Sequence, residues 1–130
     1  MNRWLFAFVV LALTASAVPA KDIGPCKLNL TLSQMVDDMN RTMTACMTIK
    51  DYVSECGRFG IDVKEFRNTE GRLPGIQKSE SAVYIEGSVR QSDGSAGTWR
   101  IVGRFQIAGE KHRFVQGYYT DGHYATFCSL

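Results

Sequence analysis

The stretch Ala82–Val89, which reads AVYIEGSV, decides the fold because its side chains alternate between two kinds of surface. A period of two is typical of a β-strand. One face of this strand would carry Tyr84, Glu86 and Ser88, and the other Val83, Ile85 and Val89. The same period recurs in three later segments, separated by residues typical of turns. We therefore predict four antiparallel strands, over Ala82–Val89, Thr98–Ala108, His112–Tyr119 and His123–Cys128.

A different period precedes this region. Apolar residues recur at helical spacing from about Leu32 to Lys50, which predicts an amphipathic helix. Gly57 and Gly60 interrupt the pattern, and a short second helix is expected to run up to Phe66. Residues 67–78 are rich in Gly and Pro and predict a loop. A helix followed by an antiparallel meander is an α+β domain, with the N-terminal helix packed on one face of a twisted sheet.

The first twenty residues have the layout of a secretory signal peptide. Arg3 is followed by an apolar run over 4–13 and by small residues up to Ala20. The run is shorter than the roughly 20 apolar residues of a membrane span. We expect residues 1–20 to be removed, and residues 21–130 to form one secreted domain that is not bound to a membrane.

The chain has four cysteines, and a secreted domain of this size is expected to pair them. They allow three connectivities, which the sequence itself leaves open. A zinc site is the alternative, but the chain contains no CxxC pair, so we predict no metal site. The formal net charge of +2 argues against a general polyanion-binding surface. The cysteines are Cys26, Cys46, Cys56 and Cys128.

Strand alternation also places charged side chains together. If the strand faces coincide, Glu86 would meet Arg100 and Arg104 on one exposed surface, which His123 would reach from the last strand. A carboxylate, an imidazole and guanidinium groups are the parts needed to cleave RNA through its own 2′-hydroxyl. Taken alone, the pattern fits a cross-strand ion pair and a solvated histidine better.

Two further stretches favour the catalytic interpretation: FRNTEGRLPG at Phe66–Gly75 and YYTDGHYATF at Tyr118–Phe127. With Glu86 and Arg100 between them, they resemble the small secreted microbial guanyl-specific ribonucleases of the barnase-like family. The resemblance covers roughly half of the chain. It implies the microbial ribonuclease fold and an endoribonuclease that cleaves single-stranded RNA 3′ to guanosine through a 2′,3′-cyclic phosphate, without metal or other cofactor.

The resemblance also implies a role for individual residues. Glu86 would be the general base, His123 the general acid, and Arg100 a group that stabilises the phosphate. Tyr124 would hydrogen-bond the phosphate. The loop residues Asn68, Thr69 and Glu70 would bind guanine, with the Glu70 carboxylate accepting from the two donors on the guanine edge. As in some family members, the preferred disulfides are Cys26–Cys128 and Cys46–Cys56.

Two positions depart from the family pattern. Thr69 stands where close relatives of barnase have an arginine, and Ala96 stands where the family has its first phosphate-binding arginine. Arg104 could substitute for the latter, as could Arg90 or Lys78. Glu80 is a less favoured candidate for the base.

The expected partner is RNA, for a monomeric enzyme, with a barstar-like inhibitor if the activity is toxic to the producer. The alternative is a catalytically weakened ribonuclease-fold protein that acts as a secreted effector by binding RNA or protein. Ala96 favours this alternative.

Overall fold

The computed structural model describes residues 23–121 and 124–130, so the expected signal peptide over 1–20 lies outside the described residues. Two helices precede a five-stranded antiparallel sheet along the chain. Neighbouring strands of the sheet are also neighbours in the sequence. The helices are α1 (Leu30–Cys46) and α2 (Tyr52–Gly57). The strands are β1 (Ile61–Glu65), β2 (Ala82–Val89), β3 (Arg100–Ala108), β4 (Lys111–Thr120) and β5 (Cys128–Ser129). The α+β prediction is confirmed.

Helix α1 begins where a side chain satisfies its free backbone donors. The Asn29 side chain accepts a hydrogen bond of 2.9 Å from the Leu32 N–H, which is the usual capping contact of an asparagine. The helix ends at Cys46 rather than near Lys50. A disulfide then joins Cys46 to Cys56 at the end of α2.

The sheet has an apolar cluster on each face. One cluster lies between the sheet and α1, where Val36, Met39 and Met43 pack against Ile85 and Phe105. The other lies on the opposite face, under the loop 66–78. Its buried members are Leu73, Tyr84, Val102 and Tyr118, and Phe66, Ile76 and Phe127 pack around them. Alternation therefore turns every second residue of β2 toward one face, as predicted. The expected exposure of that face is wrong, because the loop covers it and Glu86 is buried.

The expected short helix up to Phe66 is wrong, because Ile61–Glu65 is strand β1. Gly60 adopts a φ of 72°, a conformation open to glycine that turns the chain away from helical geometry. The residues that follow pair antiparallel with β2, with Lys64 opposite Glu86. Pairing with the edge of β2 thus determines the conformation of Ile61–Glu65, which is too short to show a clear hydrophobic period.

The last predicted strand is also shorter than expected. Among its described residues only Cys128 lies in β5, and Tyr124 adopts a φ of 54°, which interrupts an extended strand. The strands expected at Thr98–Ala108 and His112–Tyr119 are confirmed with shifts of one or two residues at their ends.

Both predicted disulfides are confirmed. Cys26–Cys128 joins the N-terminal segment to β5, where the Cys26 N–H also donates to the Ser129 carbonyl at 2.9 Å. This pair closes a loop of 102 residues and fixes the segment that follows Tyr124. Neither helix in the described part of the chain has the length and apolarity that a membrane crossing requires.

Candidate active site

Glu86 lies on the loop face of β2, and its carboxylate is almost fully buried, with 7% of the side chain exposed. The Tyr124 hydroxyl donates to Glu86 Oε1 at 3.0 Å. The Lys64 ammonium lies 3.3 Å from the same oxygen. A buried carboxylate is tolerated only when it is paired or hydrogen-bonded, and here one oxygen has both kinds of partner. The carboxylate is therefore held at a fixed point of the sheet.

Tyr124 links this carboxylate to Arg100. Burial raises the pKa of Tyr124 above its usual value, the nearby Glu86 carboxylate raises it further, and Arg100 acts in the opposite direction. The phenol is therefore neutral at ordinary pH and serves as a donor. Arg100 itself begins β3 and donates to the carbonyls of Gly97 and Trp99, the latter at 3.0 Å. The structure thus brings Glu86, Tyr124 and Arg100 together.

A cleft of about 220 Å³ lies beside this group. Its walls are the loop residues 66–70, Arg72 and the ring of Tyr124. Phe66 stacks on Tyr124 with ring centroids 5.7 Å apart and planes inclined by 19°. Aromatic walls with polar groups along one side suit a flat base that stacks and is read by its edge.

The loop that lines the cleft is held by Asn68. Its side-chain amide donates to the Leu73 carbonyl at 2.9 Å, and its side-chain oxygen accepts from the Leu73 N–H at 3.0 Å. Asn68 has a φ of 53°, which asparagine tolerates better than most residues. Leu73 is in turn buried against the sheet. The predicted binding residue Asn68 therefore acts inside the loop, and the adjacent Thr69 is left exposed at the cleft.

Glu70 stands at the exposed rim of the same cleft, with 71% of its side chain accessible. The Arg72 guanidinium donates to Glu70 Oε2 at 2.8 Å and to the Ala125 carbonyl at 2.8 Å. Arg72 therefore ties the loop to the segment that carries Tyr124. Arg72 thus joins the two walls of the cleft, in addition to the stacking of Phe66 on Tyr124.

Arg104 lies on the same sheet face but is held elsewhere. It donates to Glu80 Oε2 at 2.5 Å and to the Tyr84 hydroxyl at 3.2 Å, and 16% of its side chain is exposed. The Tyr84 hydroxyl donates to the Pro74 carbonyl at 2.7 Å. This chain of contacts supports the loop from behind. It also engages Glu80, the second candidate for the base, at a position away from Tyr124.

The other sequence-predicted residues have separate surroundings. Arg90 pairs with Asp62 across β1 and β2, and this hydrogen bond lowers the pKa of Asp62. Ala96 is exposed and forms an isolated bridge with Arg90. His123 lies outside the described residues, so its role as the acid stays a prediction. Within residues 23–121 and 124–130, no three metal-binding side chains converge.

Sequence reasoning missed Lys64. The residue sits in a segment that was expected to be helical, where nothing would place it near Glu86. Had Ile61–Glu65 been identified as a strand, its period-two pattern would have turned Lys64 toward one face. The register that sets it opposite Glu86 is a non-local property, which no signal in the segment itself provides.

Comparison with known proteins identifies a family. A family model described as ribonuclease matches residues 20–130, which is nearly the whole chain. No curated protein matches the chain.

Proposed function

The chain belongs to the ribonuclease family, and from this membership we propose that it is a secreted, metal-independent endoribonuclease that cleaves single-stranded RNA 3′ to guanosine. The observation that carries the proposal is the buried Glu86 carboxylate, which Tyr124 holds at 3.0 Å beside a base-sized cleft. A positioned proton acceptor next to a stacking site is what cleavage after a chosen base requires.

In the first step, Glu86 takes the proton of the 2′-hydroxyl, and the 2′-oxygen attacks the adjacent phosphorus. The bond to the 5′-oxygen breaks, and His123 gives that oxygen a proton. The product is a 2′,3′-cyclic phosphate. Arg100 and the Tyr124 hydroxyl stabilise the negative charge that grows on the phosphoryl oxygens. No external nucleophile is needed, because the 2′-oxygen is already held next to the phosphorus.

In the second step the roles reverse. His123, now neutral, takes a proton from water, and the water oxygen attacks phosphorus. The bond to the 2′-oxygen breaks, and protonated Glu86 returns its proton to that oxygen. The final product is a 3′-phosphate, and both side chains recover their starting states.

Base preference is assigned to the cleft. Guanine would stack along the Phe66–Tyr124 wall, and Glu70 would accept from the N1–H and the exocyclic amine. Adenine has no N1–H at that edge, so the carboxylate would meet an acceptor instead of a donor. Backbone N–H groups of the loop at Thr69 and Glu70 are proposed to donate to guanine O6.

Secretion is proposed from the expected signal peptide together with the two disulfides, since such bonds persist in oxidising compartments. The partner is then extracellular RNA or the RNA of a cell that the protein enters. If the activity threatens the producing cell, a protein inhibitor of the barstar kind would be needed to cover Glu86 and Arg100.

The test is turnover of the dinucleotides GpU and ApU by the mature chain with EDTA present. We expect cleavage of GpU and little cleavage of ApU. His123→Ala should abolish cleavage and leave binding of a guanine mononucleotide intact. The other histidine, His112, offers a matched control, because it packs against the rings of Tyr52 and Phe105, away from Glu86.

His112→Gln should therefore cleave GpU at a rate close to that of the unaltered chain. Equal turnover of GpU and ApU would refute the proposed preference for guanosine. Normal cleavage by His123→Ala would refute the assignment of His123 as the general acid.

The second candidate function is a binding effector of the same fold, and the missing charge at Ala96 favours it. This candidate predicts that guanine mononucleotides bind while GpU remains uncleaved. The same experiment therefore separates the two.

A further inference from the structure

The chain contains two motifs of the form N-x-S/T, Asn29-Leu30-Thr31 and Asn40-Arg41-Thr42, and both lie in or next to α1. The asparagine of such a motif is the acceptor for N-linked sugar in proteins that pass through a eukaryotic secretory pathway. The attached sugar is bulky and hydrophilic, so the acceptor must project from the surface of the folded chain. The structure places the two asparagines in different surroundings, and this difference decides between them.

Asn29 lies at the junction between the N-terminal segment and α1. Its backbone is extended, with a φ of −64° and a ψ of 159°, and the helix begins at the next residue. All three residues of the motif are exposed, and 75% of Leu30 is accessible. The motif is therefore open to a transferase, and a sugar at this point meets solvent.

The carboxamide of Asn29 can cap the helix and carry a sugar at the same time. Its oxygen, Oδ1, accepts from the Leu32 N–H at 2.9 Å. Within residues 23–121 and 124–130, this is the one hydrogen bond of the Asn29 side chain, and its nitrogen, Nδ2, is not used. A sugar is attached to Nδ2 and leaves the oxygen as an acceptor. Modification therefore keeps the cap of α1.

Asn40 lies in the middle of α1, and its carboxamide faces the sheet. Its Oδ1 is buried, without a hydrogen-bond partner in the part of the chain that the structure describes. A Cβ at Gly117 of β4 would lie 3.0 Å from this oxygen, which shows how closely the helix packs on the strand. A sugar on this carboxamide would hold α1 away from β4. Chains that fail to fold are degraded by the cell, so we expect no sugar at Asn40 in the secreted protein.

We propose that Asn29 is an N-glycosylation site and that Asn40 is not. This inference rests on the secretion that belongs to the proposed function. The co-substrate is an oligosaccharide joined through C1 of its first sugar to a lipid pyrophosphate. Nδ2 of Asn29 attacks C1, the bond from C1 to the pyrophosphate oxygen breaks, and the lipid pyrophosphate leaves. Nδ2 gives one proton to a base of the transferase, so the product is a neutral secondary amide.

The sugar would stand apart from the proposed active site. Leu28, the neighbour of Asn29, packs on the apolar cluster between the sheet and α1. Glu86 and its partner Tyr124 lie on the opposite face of the sheet, under the loop 66–78. Because the sheet separates Asn29 from Glu86, the sugar should leave the cleavage of RNA unchanged.

The experiment is secretion of the full chain, with its own first twenty residues, from a eukaryotic host. Intact mass before and after treatment with a peptide N-glycosidase counts the glycans, and peptide mapping locates the aspartate that the enzyme leaves. We expect one glycan, at Asn29. Asn29→Asp should lose it and keep the helix cap, because aspartate caps as well as asparagine. Thr31→Val should also lose it, and Thr31→Ser should keep it, because the motif requires a hydroxyl.

The control is Thr42→Val, which removes the second motif. The Thr42 hydroxyl donates to the Asp38 carbonyl at 2.9 Å, within α1 itself. This variant should carry the same glycan at Asn29 as the unaltered chain. A secreted chain without sugar, or with sugar at Asn40, would overturn the inference while leaving the proposed function in place. Retention of the sugar by Thr31→Val would overturn it as well.

Cleavage of GpU separates this inference from the proposed enzyme. The secreted chain should cleave GpU at equal rates before and after the sugar is removed, and slower cleavage with the sugar attached would refute the separation of Asn29 from the active site. A chain with sugar at Asn29 that does not cleave GpU refutes the proposed enzyme and supports the inference. A chain that the host retains without sugar refutes the proposed secretion and the inference together.

Discussion

Replacing Glu70 by Gln tests base preference at the side chain that should create it. The structure shows Glu70 at the rim of the cleft, exposed over 71% of its side chain and paired with Arg72 at 2.8 Å. The substitution keeps the shape of the side chain. It replaces a charged acceptor of two hydrogen bonds by an amide whose NH₂ group would face a guanine donor.

The magnitude follows from these contacts. A hydrogen bond to a charged group contributes about 1.5–3 kcal/mol, and the exposure of Glu70 places its bonds at the lower end of that range. Two such bonds give about 3 kcal/mol, which corresponds to roughly a hundredfold change. We therefore expect the ratio of kcat/KM for GpU to kcat/KM for ApU to fall about a hundredfold in Glu70→Gln, mainly through slower cleavage of GpU.

The assay measures both dinucleotides with the unaltered chain, with Glu70→Gln and with a matched control. Glu65→Gln removes an exposed carboxylate at the end of β1, outside the residues that line the cleft around Tyr124. This control should leave the ratio unchanged. Glu70→Gln with an unchanged ratio and intact cleavage would refute the assignment of guanine recognition to Glu70. An equal fall in the control would show a general effect of charge.

Three other expectations concern the general base Glu86, the Cys26–Cys128 disulfide and the stability at alkaline pH. Glu86→Met should lower kcat/KM for GpU about a thousandfold. Its free energy of unfolding in urea should change by less than about 1 kcal/mol, because the exposed Lys64 is left in water. Near-normal cleavage by this variant would contradict the assignment of Glu86 as the general base. Replacing Cys26 and Cys128 by alanine should lower the free energy of unfolding by about 4.7 kcal/mol, the chain-entropy value for a loop of roughly 100 residues, and a loss below about 1 kcal/mol would contradict this. Burial raises the pKa of several tyrosines in the folded chain, so the stability that these phenols contribute should be fully present below the unfolded value of about 10 and should be lost as the pH rises through the folded values. Equal urea midpoints at pH ~8 and pH ~11 would refute this expectation; the tyrosines are Tyr84, Tyr118, Tyr119 and Tyr124.

The central strands could be predicted because their signal is local. Alternation over Ala82–Val89 is long enough to distinguish a strand, and it fixed which residues face the loop. The same reasoning placed Arg104 on the correct face but could not identify its partners. A face holds several neighbours within reach of a long side chain, and the choice of Glu80 and Tyr84 depends on side-chain packing.

The edges of the site could not be predicted because they depend on distant parts of the chain. Ile61–Glu65 becomes a strand by pairing with β2, across the intervening loop. The contact of Tyr124 with Glu86 joins residues 38 apart in sequence, and Tyr124 makes it with a positive φ. Periodicity carries no information on either feature, so the sequence pointed to a regular last strand where the chain turns.

The burial of Glu86 bears on the choice between an enzyme and a binding protein. A carboxylate under a loop must be compensated by partners, and an apolar side chain of similar size at such a position is often neutral or more stabilising. Binding of RNA calls for exposed cations and aromatic faces, and an acidic side chain next to a phosphate opposes it. A protein that only binds would therefore gain neither stability nor affinity from Glu86. Cleavage through the 2′-hydroxyl does need a proton acceptor at that point, held by Tyr124 and flanked by a cation, and so the arrangement around Glu86 favours catalysis.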